Sequence, residues 1–410
     1  MKLTNHKPLS FLGIIGLTLF ASCQKENVSI ITNQTEKPAI RSVTDAKNIA
    51  LQYYKSSINS KASTKASTEV VPTINDVQVL TSDMLISNGL TYARTKSSST
   101  GDTLLYYVNF SDAKGGMILS RNTECQPVLA IFDEGNFSFQ NVLQNTDINL
   151  GALSFILSAV DYNNSPESFS IEQPEMPIDD GGGGGGGYVP VTLVDEVLPK
   201  VRVEWSQSQD PFNRYTPNNY PAGCVAVAVA QAFTVTRHVG AFNGINLNYN
   251  DLIQFRDYSY KYLFPNQADI AGQFVRQIGA AVAMDYDASG SGAKTSDGVK
   301  LFSNFGLMNV NTNKANIRNT LKNYSNGIII ISSRTKKPFL GIARGEGHAY
   351  IADGYRLYSN GSDLIHVNYG WGPGAGNLNG YYLTVLSSPH FTADAPSTFP
   401  HDWEFYCIYK

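Results

Sequence analysis

The chain has 410 residues with 31 Lys and Arg against 34 Asp and Glu, a formal net charge of −3. That length calls for two or three domains, and a 42% apolar fraction is enough to build their cores. With only 16% charged residues and no basic patch, nucleic acid is excluded as an expected partner. Residues 1–23 read as a signal peptide: Lys2 and Lys7, an apolar run from Leu9 to Phe20, then Ala21-Ser22-Cys23. The run is too short for a membrane span, and a cysteine after two small residues resembles a lipobox. Cys23 is thus a candidate for lipidation, which would make the precursor an exported protein tied to the envelope through its lipid. An ordinary cleaved signal peptide is the alternative.

Residues 24–40 form a polar tether. A helix follows, with Thr44 as its expected cap and Ala46, Ile49, Ala50 and Tyr53 on one face. The Ser-, Lys-, Ala- and Thr-rich segment 56–68 reads as a surface loop. Strand patterns then run from Val77 to Phe139. Leu104–Phe110 and Met117–Ser120 flank the turn residues 111–116 as a hairpin, and Val128–Phe132 is a further strand. Residues 41–165 are therefore a small α+β domain. Residues 166–190 contain seven consecutive glycines, Gly181 to Gly187, and form a flexible linker. It is either a plain spacer or an activation zone between a removable prodomain and an enzyme. Residues 191–410 form the larger domain.

Four cysteines, Cys23, Cys125, Cys224 and Cys407, include no CxxC pair, so no zinc or redox motif is expected. Cys224 follows the turn Pro221-Ala222-Gly223 and opens an apolar run to Phe233 that reads as a buried helix. A thiol at a helix N-terminus gains acidity from the dipole, and the free N–H groups there can receive an oxyanion. A small buried hydrophobe is the plain alternative. His348 begins a strand, Gly347 to Tyr355, bounded by glycines. The strand Leu364–Tyr369 ends in the turn Gly370-Trp371-Gly372. A hairpin between these strands would bring Asn368 near His348, to accept the second imidazole N–H, with Trp371 shielding that bond. Turn chemistry for Asn368 and core packing for Trp371 are the alternatives. Gln207 lies 17 residues before Cys224 and is a candidate second oxyanion donor. The order Gln, Cys, His, Asn-x-x-Trp contains every role that thiol acyl transfer requires.

On these motifs the sequence resembles the streptopain family of bacterial cysteine peptidases. The resemblance takes in Trp205-Ser206-Gln207 with Pro211-Phe212-Asn213, Gly223-Cys224-Val225-Ala226, and Met284-Asp285-Tyr286 with the loop 289–296. Gly347-His348-Ala349 with Asp353-Gly354, and Val367 to Gly372, complete it. The N-terminal domain resembles the family propeptide at Tyr107–Phe110 and Gly116–Ser120. The resemblance implies a papain-like two-lobed catalytic domain, with a helical lobe and an antiparallel β lobe, preceded by an inhibitory α+β prodomain. It makes Cys224 the nucleophile, His348 the base and acid, Gln207 an oxyanion donor, Asn368 the residue orienting His348, and Trp371 a support. It places Ile342, Gly347 and Ser291 at the substrate cleft, with an apolar preference at the residue preceding the cleaved one. Substrates would be proteins or peptides, with no metal or organic cofactor. The sequence departs from the family in having Tyr369 after the motif Asn, where Trp is frequent, and in a longer loop that makes Gln209 a rival to Gln207. A Cys/His cell-wall amidase and a catalytically inactive surface lipoprotein are the competing readings.

Overall fold

A computed structural model describes residues 40–62, 72–90, 101–144, 150–164, 166, 190–238, 240–312, 316–334, 347–373, 379–383 and 401–410. The signal segment with Cys23, the tether up to residue 39, the glycine run and Ile342 lie outside them. The described residues fall within one compact unit, Pro38–Lys410.

The N-terminal segment runs α1 (Val43–Ala62), β1 (Ile74–Thr81), α2 (Ser82–Ser87), β2 (Thr103–Phe110), β3 (Gly116–Ser120), β4 (Val128–Phe132), α3 (Phe139–Gln144) and α4 (Leu150–Asn164). Ala46, Ala50 and Tyr53 of α1 are fully buried, as their spacing predicts. Two expectations are corrected here. The helix starts one residue before Thr44, because Ser42 and Asp45 exchange hydrogen bonds: Asp45 N–H donates to Ser42 Oγ at 3.2 Å and Ser42 N–H to Asp45 Oδ2 at 2.7 Å. It also continues to Ala62, through half of the segment read as a loop, since Lys and Ala there are good helix formers. The short helix α2, capped by Thr81, was hidden inside a strand-like stretch.

The C-terminal segment contains β5 (Leu193–Val197), α5 (Cys224–Thr236), β6 (Ala241–Phe242), β7 (Ile245–Asn246), α6 (Tyr249–Leu252), α7 (Pro265–Ala281) and α8 (Thr295–Asn304). It continues with β8 (Met308–Thr312), α9 (Asn316–Asn323), β9 (Ile328–Arg334), β10 (Gly347–Tyr358), β11 (Asp363–Asn368), β12 (Gly380–Leu383) and β13 (His401–Tyr409). Two 3₁₀ turns lie at Pro217–Asn219 and Tyr258–Tyr262.

Eleven strands form one antiparallel sheet in the order β1-β2-β3-β4-β12-β11-β10-β9-β13-β8, with β5 added beside the second half of β10. The N-terminal strands are thus not a separate sheet. β4 docks on β12 through Ile131 opposite Tyr381 and Ala130 opposite Tyr382. One apolar core runs under the junction, where Phe132 and Phe155 meet Tyr382 edge-on at 6.0 and 4.7 Å. A charged contact crosses the same junction. The Arg356 guanidinium, 2% exposed, holds both Asp133 carboxylate oxygens at 2.9 and 3.1 Å. Its Nε donates to Glu196 at 2.8 Å, and it lies 3.9 Å over the Tyr381 ring.

A second core belongs to the helical side of the C-terminal segment. There α5 is buried nearly all round, between α7 and α8 on one side and β9 and β10 on the other. Alternating Val and Ala let these elements approach closely. A β-carbon at Gly298 of α8 would come within 2.8 Å of Val225 and 2.9 Å of Val229.

Candidate active site

Cys224 is the first residue of α5, as the turn before it predicts. Gly223 precedes it at φ 89°, a left-handed conformation suited to glycine. A β-carbon on Gly223 would meet the Met284 side chain at 2.6 Å and the Ser291 carbonyl at 3.1 Å. One wall of the site therefore stands directly beside the cysteine. That wall is the loop 285–292, closed by an antiparallel bridge between Asp285 and Gly292. Ser291 is buried in it, its Oγ accepting the Asp287 N–H at 3.3 Å.

The half-buried Cys224 sulfur lies near the N–H groups at the start of its own helix and near that of Ala349 on β10, all of which favour its thiolate form. Ala349 is the neighbour of His348 on β10, so the helix start and the histidine strand are joined at this point. His348 is buried, and its Nε2–H donates to the Tyr369 carbonyl at 3.0 Å. A carbonyl only accepts, so the neutral imidazole carries its proton on Nε2 and its basic lone pair on Nδ1. The indole of Trp371 stacks on the imidazole at 4.8 Å and on Tyr369 at 4.7 Å.

Asn368 does a different job from the one expected. Its Oδ1 accepts from Gly370 N–H at 3.0 Å and from Gln231 Nε2 at 3.3 Å, and its Nδ2 donates to the Val203 carbonyl at 3.0 Å. Both ends of the amide are engaged in holding the turn. Asn368 pairs with Ile351, three residues along β10 from His348. The orienting acceptor is therefore the Tyr369 backbone, presented by a turn that Asn368 ties and that Gly370 and Gly372 complete at φ 73° and 80°. Because this contact is made by a backbone atom, the side chain of Tyr369 is free to differ from Trp.

Gln231 escaped the sequence reading. It is fully buried on α5, seven residues after Cys224, and accepts the Trp205 N–H at 3.0 Å while donating to Asn368. The signal was present as the lone polar residue within an apolar helical run.

Gln207 is half-buried, and its carbonyl accepts the Ala222 N–H at 2.6 Å, fastening its loop to the turn before Cys224. Ser206 forms an antiparallel bridge with Trp371. Gln209 folds back locally: its side-chain oxygen accepts the Ser206 hydroxyl. Gly347 is exposed at the first position of β10, opposite Arg334.

The electrostatics of the site favour the uncharged forms of Cys224 and His348. Burial pushes the Cys224 thiol up, outweighing the N–H groups that favour the thiolate. Burial also pulls His348 down from its ordinary 6.5 to about 4, only partly opposed by the Tyr369 carbonyl. Burial thus favours the neutral thiol and the neutral imidazole for the pair as held here. No group of His, Cys, Asp and Glu suited to a metal ion occurs among the described residues.

Residues 205–382 match the model of the Peptidase C10 family. This segment belongs to the Peptidase C10 family. The match begins at Trp205 and spans Cys224, His348, Asn368 and Trp371, so the streptopain resemblance read from the motifs is upheld. A solved fragment of prointerpain A from Prevotella intermedia, a cysteine-to-alanine mutant, is similar in structure. The TM-score is 0.50 at 17% identity, covering 82% of this chain and 99% of that one. At that identity the likeness speaks for the fold: the C10 segment is papain-like, and the likeness extends over the N-terminal segment as well. No curated protein sequence matches the chain.

Proposed function

We propose that the protein is an exported cysteine endopeptidase made as a zymogen, with Cys224 as nucleophile and His348 as general base and acid. The observation that carries this reading is the packing of α5, which Cys224 opens, against β10, which carries His348. In the proposed cycle the thiol proton passes to His348 Nδ1, and the thiolate attacks a peptide carbonyl. The oxyanion is held by the Cys224 N–H and the Gln207 amide. The leaving amine takes the proton back from Nδ1 as the C–N bond breaks, giving an acyl-enzyme that water hydrolyses by the same route. The Tyr369 carbonyl keeps Nε2–H fixed throughout.

In this reading residues 41–165 are the inhibitory prodomain and 166–190 the activation region. The neutral thiol and imidazole fit a latent precursor, and activation would include rehydration of the pair. Lipidation of Cys23 would hold the precursor at the envelope, and cleavage between the segments would free the enzyme. The wall of Gly223, Met284 and Ser291 suits an apolar side chain at the residue preceding the cleaved bond, and the family resemblance adds Ile342 and Gly347 to that subsite.

A peptide epoxide tests the assignment. After the linker is cut, it should alkylate Cys224, seen as a mass shift on the peptide holding residue 224. Labelling of Cys125 or Cys407 instead, with Cys224 untouched, would refute it.

A further inference from the structure

The site has two flanks, and only one is accounted for above. On the first, Met284 and Ser291 press against Gly223. The second is built where three segments meet. Ser206 is bridged to Trp371. A β-carbon on Gly372 would lie 3.1 Å from Ser206 Cβ and 3.5 Å from the ring of Tyr258. Tyr258, half-buried, opens the turn Tyr258–Tyr262.

That turn is held to the Gln207 loop at several points. Glu204 N–H donates to the Arg256 carbonyl at 2.7 Å, and the Trp205 indole N–H donates to the Phe255 carbonyl at 2.9 Å. Asp257 caps the turn through the Ser259 N–H at 2.8 Å, and Lys261 pairs with Asp210 at 3.2 Å. The turn that carries Tyr258 is therefore anchored, and the tyrosine ring lies beside Gly372. Tyr262, on the same turn, and Leu263, just after it, stand 83% and 72% exposed, an unusual display of apolar surface.

The chemistry assigns this flank. His348 must hand its proton to the leaving amine, so the part of the substrate after the cleaved bond lies on the imidazole side, and Trp371 is the group stacked on that imidazole. The acyl part then lies on the opposite side of Cys224, against Met284 and Ser291.

We infer that Tyr258, together with Trp371 and the Gly372 backbone, receives the side chain of the residue immediately after the cleaved bond and selects aromatic or long aliphatic groups there. This inference rests on the peptidase reading. Tyr258 is a substrate-binding residue and takes no part in proton transfer. A side chain in place of Gly372 would crowd Ser206 and Tyr258, so this flank needs a bare backbone there.

Partition of the acyl-enzyme tests the inference, because the attacking amine enters through this flank in the reverse of leaving-group departure. The linker-cut enzyme is given a peptide ester, whose alcohol leaving group carries no side chain. Phenylalaninamide, leucinamide or glycinamide is added at equal concentration. The ratio of aminolysis to hydrolysis products is then read by chromatography. Wild type should favour phenylalaninamide over glycinamide by about tenfold or more, the discrimination an apolar pocket gives. In Tyr258→Ala the ratio should fall to within about threefold, with an unchanged circular-dichroism spectrum reporting that the variant is folded. Tyr258→Phe should retain the preference. An unchanged preference in folded Tyr258→Ala overturns the subsite and leaves the peptidase reading standing. A wild-type enzyme that does not hydrolyse the ester overturns both.

Discussion

The contact most open to quantitative attack is the one between Arg356 and Asp133, which joins the two segments at the centre of the sheet. Asp133→Asn keeps the shape and removes the charge. Breaking a buried ion pair by deleting one partner costs about 3–5 kcal/mol. Two features reduce that here: the Asp133 side chain is 50% exposed, and Arg356 keeps Glu196 at 2.8 Å and the Tyr381 ring at 3.9 Å. What remains is the loss of two charge-assisted hydrogen bonds to a guanidinium that is only 2% exposed, about 2 kcal/mol. That is roughly a thirtyfold change in the folding equilibrium. Urea unfolding of the full precursor in a Cys224→Ala background, which prevents self-cleavage, should show a lower midpoint at unchanged slope. Glu134→Gln is the control. Its pair with Arg256 is 3.1 Å long but 75% and 40% exposed, so it should cost no more than about 0.5 kcal/mol. Equal effects of the two substitutions would refute the claim that a buried charge clamps the segments together.

Three further outcomes follow from the site. Gln207→Ala should lower kcat of the cut enzyme by about a hundredfold and leave measurable turnover, as loss of one oxyanion donor does; an unchanged kcat would remove Gln207 from the site. Gly223→Ala should lower kcat/KM at least about tenfold, since a side chain at φ 89° beside Met284 and Ser291 displaces the start of α5. Steady-state kinetics on one peptide reads both. His348, pulled down to about 4 in the folded chain, stabilises the precursor fully above its unfolded value near 6.5. That contribution is lost as pH falls from about 6.5 through 4, because the unfolded state then binds a proton the folded state refuses. It amounts to about 3 kcal/mol. Precursor with His348→Gln should show a shallower fall of the unfolding midpoint across that window, and parallel curves would contradict the burial of a neutral imidazole.

The nucleophile helix was legible because its signals are local. Gly223 before Cys224 and an Ala/Val run admit few alternatives, and α5 begins at the expected residue. The hairpin of β10 and β11 was legible from its apolar strands and the Gly-rich turn after them. What sequence could not give was the route of the hydrogen bonds. Asn368 looked like a partner for His348, yet the residue after it supplies the bond through its carbonyl, and any residue type carries a carbonyl. Gln231 was visible as a polar interruption, but its partners Trp205 and Asn368 are 26 and 137 residues away. The union of the two segments in one sheet was equally hidden. The strand β4 reads as a complete apolar strand whether its neighbour is β3 alone or β12 as well. The start of α1 turned on Ser42 and Asp45 rather than Thr44, a shift of the kind that capping chemistry decides among adjacent polar residues.

The central claim is that Cys224 and His348 make this chain a self-contained peptidase held latent by its own N-terminal segment. The most direct test follows casein hydrolysis and the gel pattern of the purified precursor beside its Cys224→Ala twin. The account predicts that wild type shortens to a fragment of about 24 kDa, the size of an ordinary catalytic domain, and gains activity. The twin should stay full-length and inert, and remain inert after the linker is cut with a glutamyl endopeptidase, for which Glu167, Glu172 and Glu175 offer sites. Casein hydrolysis by the cut twin, or none by the cut wild type, would contradict it.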